Sequence, residues 1–327
     1  MQAYQQQLHH GQQHQKQQQG YLEEQGIGMF QATTKNAVIN AGLGETEFCV
    51  ISFNSRGFNS APRDFINKLS SKEIIGNKEA IICNQENFLL RASAYKINQT
   101  LPGYYTMFKP AEKSSLCRGR AKGGLFMALS DAISSQVKDI SPSHWRLQAA
   151  LLRSGARTMM LINAYFPVDS RLNDAGCKEL SEVIAEVKQL VDKHKITDLL
   201  LCGDMNCDFR RDTLHVNTTS DLCQDLALYK SWESFEIDFT HSHDNGNGNV
   251  NFGIIDNFFW STGLNNIISD TGVIHDVDNN SDHEPIYCTL KLPSSSSEGG
   301  RIKISQKPHW NLTGDEGRNN FIHYMQD

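Results

Sequence analysis

Nowhere in the 327 residues is there an uncharged apolar run of 18 or more, the length a membrane-spanning helix requires, so no transmembrane helix is expected. The first 20 residues lack the apolar stretch of a secretory leader. Half of them are glutamine, and the chain reads as soluble and non-secreted. The eight cysteines (49, 83, 117, 177, 202, 207, 223 and 288) include no Cys-x-x-Cys pair, which removes the usual zinc and redox signatures. Several lie in apolar runs such as Leu199-Leu200-Leu201-Cys202 and are expected to be reduced, buried thiols. Positive charge is not in excess either. With 31 Lys and Arg against 37 Asp and Glu, the net charge of −6 announces no global basic field for nucleic acid. An enzyme that uses a local basic rim or recruits a metal cation stays open.

What remains is globular composition, 39% hydrophobic and 21% charged. The glutamine- and histidine-rich opening cannot bury a core, and residues up to about 45 stay without periodicity, so 1–45 is expected to be a disordered segment. At the other end, Pro293, Ser294 to Ser297 and Glu298-Gly299-Gly300 form a linker signature, and 293–327 reads as linker and tail. The span 46–292 shows no internal repeat and suits one α/β domain better than two.

Within it, short apolar runs bounded by turn residues or charges predict strands at Phe48–Phe53, Ala80–Cys83, Gly124–Leu129, Leu147–Leu152, Met159–Tyr165 and Leu199–Cys202. From Asn173, a good N-cap, Leu180, Ile184, Val187 and Val191 fall on one apolar helix face. Near-continuous apolar strands require cover on both faces, so a layered α/β architecture follows.

Polar groups gather where these strands end: Asn54-Ser55-Arg56-Gly57, Asn84-Gln85-Glu86, Asn163-Ala164-Tyr165, and Gly203-Asp204-Met205-Asn206. Farther on are Ile255-Asp256 and Ser281-Asp282-His283. Taken singly, each reads as a turn, a cap or a solvated loop acid. Their joint occurrence, in order, is what points to chemistry, because strand-end loops are where a rigid sheet presents catalytic groups.

That ordered set resembles the endonuclease/exonuclease/phosphatase superfamily, the fold of DNase I and of the exonuclease III type of abasic-site endonucleases. The resemblance spans essentially all of 46–292. It implies a four-layered α/β sandwich, two packed mixed sheets flanked by helices. It also implies a phosphodiester hydrolase using Mg²⁺, or Mn²⁺ in its place, since hard oxygen ligands favour such cations. By the resemblance Glu86 is the principal metal ligand, with Asn54 and Asp282 close by. Asp204 orients or deprotonates the attacking water, Asn206 binds the phosphate, His283 pairs with Asp256 against the scissile phosphate, and Tyr165 donates to a phosphate oxygen. Whether His283 or Asp204 is the base stays open at this point.

Finer features are similar to the endonuclease domain of non-LTR retrotransposon polyproteins: Asn163-x-Tyr165-x-Pro167, Gly119-Arg120-x-x-Gly123-Gly124, and Thr240-His241-Ser242 ahead of Ile255-Asp256. They place Thr240, Arg120 and Ser281 on the substrate, with double-stranded DNA as the partner and a nuclear location implied. The tail around Lys307-Pro308-His309-Trp310 resembles the lead-in to a reverse transcriptase, which suggests a truncated or degraded retroelement nuclease, or a host copy of one. The rivals are an abasic-site enzyme, a small-molecule phosphodiesterase or phosphatase of the same fold, and an inactive remnant.

Three departures stand out. Asn84 replaces a usual Leu, which points either to reduced stability or to relaxed selection in a decaying element, Gly253 stands where serine is common, and Asn257 stands where His or Tyr is frequent. Arg118, Arg120 and Lys122 read equally well as phosphate contacts or solvated charges. Arg210 and Arg211 read as solvated loop charges, and His241-x-His243 as loop histidines.

Overall fold

Phe48, Val50 and the residues between and after them, Cys49, Ile51 and Phe53, point alternately to opposite faces of one strand, and all five are buried. A strand apolar on both faces must be sandwiched, and the computed structural model, which describes residues 45–113, 121–169, 174–234, 237–246 and 249–293, shows by what. The strands are β1 (Glu45–Asn54), β2 (Glu79–Gln85), β3 (Tyr104–Lys109), β4 (Leu125–Ser130), β5 (Val137–Asp139), β6 (Leu147–Ser154) and β7 (Arg157–Tyr165). They continue with β8 (Asp198–Asp204), β9 (Leu228–Lys230), β10 (His241–Asp244), β11 (Val250–Gly253), β12 (Asp256–Ser261), β13 (Ile268–Val273) and β14 (Ile286–Pro293).

They build two six-stranded sheets, ordered β13-β14-β1-β2-β4-β3 and β5-β6-β7-β8-β12-β9, with β10 and β11 as a separate hairpin. Each sheet is mixed: β1 runs parallel to β2 and β7 parallel to β8, while their other neighbours are antiparallel. Phe48, Val50, Ile81 and Met127 of the first sheet meet Leu161, Leu200, Phe258 and Trp260 of the second in the central core. Helix α1 (Ser60–Leu69) covers the outer face of the first sheet with Phe65, Ile66 and Leu69. Helix α2 (Asp174–His194) covers the second with Leu180, Val183, Ile184, Val187 and Leu190. Lys193 and His194 in its last turn complement the helix dipole. A third helix, α3 (Leu214–Asp225), joins that outer layer and is capped by the Thr213 hydroxyl, which accepts from Val216 N. Helix, sheet, sheet, helix: the fold is the four-layered sandwich.

All six strands expected from apolar runs are present, five of them extended by one to a few residues and the expected Gly124–Leu129 shifted by one to Leu125–Ser130. The helix face expected from periodicity is buried at Leu180, Ile184 and Val187 and half-buried at Val191, although Asn173 lies outside the described residues. The described cysteines are all free thiols, buried except for half-buried Cys177. No described helix is long and apolar enough to cross a membrane. The segments 1–44 and 294–327 lie outside the described residues.

Asn84 departs from its expectation. It is fully buried, yet its amide donates to Phe53 O at 2.9 Å and accepts from the Ser55 hydroxyl at 3.3 Å, so it carries no desolvation penalty. It belongs to a polar seam between the sheets. Gln85 Nε2 donates to Asn163 Oδ1 at 2.7 Å, and Asn163 Nδ2 returns bonds to Asn84 O and Phe126 O. A buried network of this kind locks the register of one sheet on the other, although Gln85 Oε1 within it has no partner.

Candidate active site

The parallel pairs set the position of the site. β1 and β2 end side by side at Asn54 and Gln85, and β7 and β8 end at Tyr165 and Asp204. The antiparallel strand β12 begins at Asp256, opposite Asp204, and β14 begins opposite Ser52 just after His283. Both sheets therefore deliver their strand-end residues to one pole, where ligands of open α/β sheets characteristically bind.

The chain turns sharply there. Arg56, Glu86 and Asn206 all have positive φ (47°, 51° and 49°), a left-handed conformation that non-glycine residues avoid. Three such residues at three strand ends are held by the surrounding contacts, which is where proteins store backbone strain for function. Gly203 is required by space as well. At φ +142° a Cβ there would lie 1.9 Å from Ala164 O on β7, so only glycine lets β7 and β8 pair just before Asp204.

Five of the polar side chains are bonded into one network, with two ion pairs beside it. Asn54 Nδ2 donates to Glu86 Oε2 at 3.1 Å and to Asp204 Oδ2 at 2.9 Å, while its carbonyl oxygen accepts from Arg56 N. Tyr165 donates to the other Glu86 oxygen at 2.8 Å. Asn206 donates through its backbone to Asp204 Oδ1 and through its amide to Asp204 Oδ2 and Phe166 O. His283 Nδ1 lies 2.9 Å from Asp256 Oδ2, and its Nε2 lies 3.9 Å from Asp204 Oδ2. Arg56 and Asp282 form a close ion pair on the same rim.

Burial and charge act against each other here. Burial pushes the Asp204 carboxyl up to about 7, with the His283 ring opposing and Asp256 adding to the rise. For His283 burial alone would lower the ring, but the Asp256 and Asp204 carboxylates outweigh it and push it up to about 9. Burial also acts on Asp282, yet His241, His283 and Arg56 hold it well below the usual carboxylate range, at about 2. Tyr165 is raised, first by burial and then by Glu86 and Asp204, so its hydroxyl keeps its proton. Perturbation of this kind, in opposite directions among neighbours, is typical of catalytic clusters.

The residues suit a hard divalent cation. Glu86 and Asp282 offer carboxylate oxygens, and Asp282 Oδ1 is buried with no hydrogen-bond partner, a donor position left over by the protein itself. The Asn54 amide nitrogen, by contrast, faces Glu86, so here Asn54 steadies that carboxylate. A cavity of about 300 Å³ opens beside the cluster, lined in part by Asn206, His241 and Phe252. A larger hollow of about 1150 Å³ lies at the opposite strand ends, near Arg157 and Asp198, and is lined by none of the clustered groups.

Eight of the expected residues thus meet at one pole: Asn54, Glu86, Tyr165, Asp204, Asn206, Asp256, Asp282 and His283. Three do otherwise. Thr240 is fully buried and its hydroxyl accepts from Ile255 N and Asp256 N, both at 3.0 Å, so it positions Asp256. Ser281 donates to Asn54 O at 2.8 Å and accepts from His283 N, tying two strand ends together. Arg120, like Arg118, lies outside the described residues.

Arg210 is not a free loop charge, since it grips Asp208 through two contacts of 2.9 and 2.7 Å. Gly253 leaves ordinary van der Waals room for a side chain, and Asn257 is buried with neither amide atom paired. Residues not assigned from the sequence include Arg146, which is stacked at 4.8 Å on the Tyr165 ring and bonded to Tyr165 O. His241 is another, its ring centroid 4.7 Å from that of His283. Nothing in the spacing of His241 and His243 links them to a motif 40 positions later.

No family profile matches the chain, and no curated protein matches it in sequence. Solved structures do. The abasic-site endonuclease LMAP of Leishmania major superposes with a TM-score of 0.59 at 14% identity, over 76% of this chain and 89% of that one. The 3′ phosphatase NExo from Neisseria, bound to a product DNA hairpin, gives 0.57 at 18%, over 74% and 98%. The fold is that of the DNase I-like endonuclease/exonuclease/phosphatase superfamily. The endonuclease domain of TRAS1, a telomere-specific non-LTR retrotransposon, shares this fold with a TM-score of 0.54 at 15% identity, over 75% and 99%.

Proposed function

We propose that this chain is a Mg²⁺-dependent phosphodiester hydrolase, and more narrowly a retrotransposon-type endonuclease that nicks duplex DNA and leaves a 3′-hydroxyl. The observation that carries it is the hydrogen-bonded network of Glu86, Asn54, Asp204, Asn206 and Tyr165, with the bonded His283–Asp256 pair 3.9 Å from Asp204, at one pole of the sandwich.

Glu86 and Asp282, with Asn54 steadying the first, would hold Mg²⁺, which supplies neutralisation of phosphate charge. The protein's own groups divide the remaining work. His283, fixed through Nδ1 by Asp256 and raised to about 9, is protonated near neutrality and offers Nε2–H to a phosphate oxygen. That leaves Asp204 as the proton acceptor for water, its two oxygens oriented by Asn54 and Asn206. Tyr165 keeps its proton and donates it, to Glu86 in the free protein and to phosphate in the complex. The half-exposed Arg56 and the exposed Arg211 bring positive charge to the rim, as a polyanionic substrate requires.

The narrower reading draws support from the Asn163-x-Tyr165-x-Pro167 segment, in which Asn163 staples the sheets and Tyr165 reaches Glu86, together with the TRAS1 likeness. Supercoiled plasmid incubated with the full chain and Mg²⁺ tests it, beside Glu86→Ala and His283→Ala. Open circles from the wild type alone are expected. Cleavage only of plasmid carrying abasic sites would replace the narrow reading with abasic-site repair, and an intact plasmid in both cases would remove DNA as the substrate.

A further inference from the structure

We propose that His241, Asp282 and His283 form an alternative cation site, one for a borderline transition metal of the Zn²⁺ class. It shares Asp282 with the Mg²⁺ reading and replaces Glu86 with two imidazoles, so the two cations would compete for that carboxylate. The three residues bring ligand atoms within 4.8 Å of one another, two of them imidazole nitrogens. Imidazole suits zinc-like cations, whereas Mg²⁺ prefers oxygen and water.

The backbone explains the closeness. His241 and His283 face each other across an isolated antiparallel bridge, flanked by Ser242 N to Asp282 O at 2.8 Å and Glu284 N to Thr240 O at 2.7 Å. The facing pair between such bonds is the non-hydrogen-bonded type, in which side chains stand closest. The rings accordingly lie 4.7 Å apart at 62°, with His241 Nε2 3.7 Å and His283 Nε2 4.0 Å from the Asp282 carboxylate. A bound cation with ligand bonds of about 2.0–2.2 Å needs these groups to close by less than about an ångström, which the half-buried His241 permits.

Two further features favour a metal over an incidental contact. Asp282 Oδ1 is buried and unpartnered while Arg56 engages the other oxygen, so one acceptor stays available. Asp256 accepts at His283 Nδ1, which leaves Nε2 facing the site and provides the outer carboxylate that metal-bound histidines usually have. On the hydrolase reading above, on which this one consequence rests, the cation removes His283 Nε2 and Asp282 from phosphate chemistry and so arrests cleavage.

The test is of binding and stands apart from activity. Full-length protein freed of metal is titrated with Co²⁺, followed by ligand-field absorption and by hyperfine-shifted imidazole N–H resonances, and Zn²⁺ is then used to displace it. Histidines 9, 10 and 14 in the opening segment supply a background common to all variants. The expected result is one equivalent with two coordinated imidazoles, resistant to excess Mg²⁺. It should weaken by more than about tenfold in His241→Gln and be retained in His243→Gln. Equal binding by His241→Gln, fewer than two coordinated imidazoles in the wild type, or displacement by Mg²⁺ would each overturn the site. Asp282→Asn, which removes the third donor at a different position, should weaken binding likewise, so misfolding of His241→Gln would not shield the proposal.

Discussion

Asn54 and Asp204 are 150 positions apart and on different sheets, yet the Asn54 amide nitrogen sits 2.9 Å from Asp204 Oδ2 and 3.1 Å from Glu86 Oε2. One side chain therefore ties the sandwich together and orients two carboxylates that would otherwise repel. Asn54→Leu keeps the volume and removes the donor. It should lower stability by about 1–3 kcal/mol, the cost of an unpaired buried acceptor, and lower nicking by at least about tenfold. Urea unfolding and plasmid cleavage read the two effects separately.

The His283–Asp256 pair predicts a pH dependence of stability in metal-free protein. His283 is raised from its ordinary value of 6.5 to about 9, so its contribution is complete below 6.5 and lost as pH rises through 9. Asp204, raised from 3.8 to about 7, acts with the same sign at lower pH, its proton-linked contribution fading between those values. Unfolding free energy should fall by about 1–3 kcal/mol between pH 6.5 and 9. His283→Gln should flatten that slope, and an unchanged slope would exclude a charged His283.

Gly203→Ala should be among the most damaging small substitutions. The added methyl meets Ala164 O at 1.9 Å in a left-handed backbone, and neither strand can yield without breaking the pairing that presents Asp204. A loss of about 3 kcal/mol or more is expected, a fall in Tm of roughly 6 °C or more for a domain of this size. Calorimetry checks it.

Tyr165→Phe removes one hydroxyl and leaves the ring packed on Trp145 and Arg146. Stability should change by less than about 1 kcal/mol. Glu86 loses a donor 2.8 Å away, so the affinity for Mn²⁺ should drop about 10–100-fold, as when outer-shell partners of a metal ligand are lost. Mn²⁺ titration by electron paramagnetic resonance measures this without a substrate.

Thr240→Val is isosteric and leaves two backbone N–H groups, those of Ile255 and Asp256, without their acceptor. A destabilisation of about 1–3 kcal/mol is expected. Because Asp256 then loses its anchor, the His283 titration followed by NMR should move down towards its ordinary value. A purely substrate-facing Thr240 would leave that titration unmoved.

The elements legible in the sequence are those governed by local patterning. The runs in β1, β7 and β8 are apolar on both faces, so their burial between layers follows from hydrophobicity alone, and the 3.6-residue spacing of Leu180, Ile184 and Val187 marks a covering helix. The short strands β9, β10 and β11 carry mixed residues such as Tyr229, His243 and Asn251 and have no such signature; pairing with neighbours makes them strands. The glycine of Gly203-Asp204-x-Asn206 was legible as a turn, but its necessity lies in Ala164, a residue of another strand.

The order of strand-end motifs likewise determined which residues belong to the candidate site, because local turn chemistry and the resemblance both attach to short stretches. Contacts between distant stretches were decided only in three dimensions. Thr240 turned inward to hold Asp256, Asn84 found partners that make it a harmless core residue, and His241 was carried onto His283 by a single cross-strand bridge. The physical reason is common to all three. A polar side chain is placed by the partner that satisfies it, and that partner's position depends on how the sheets pack and not on neighbours along the chain.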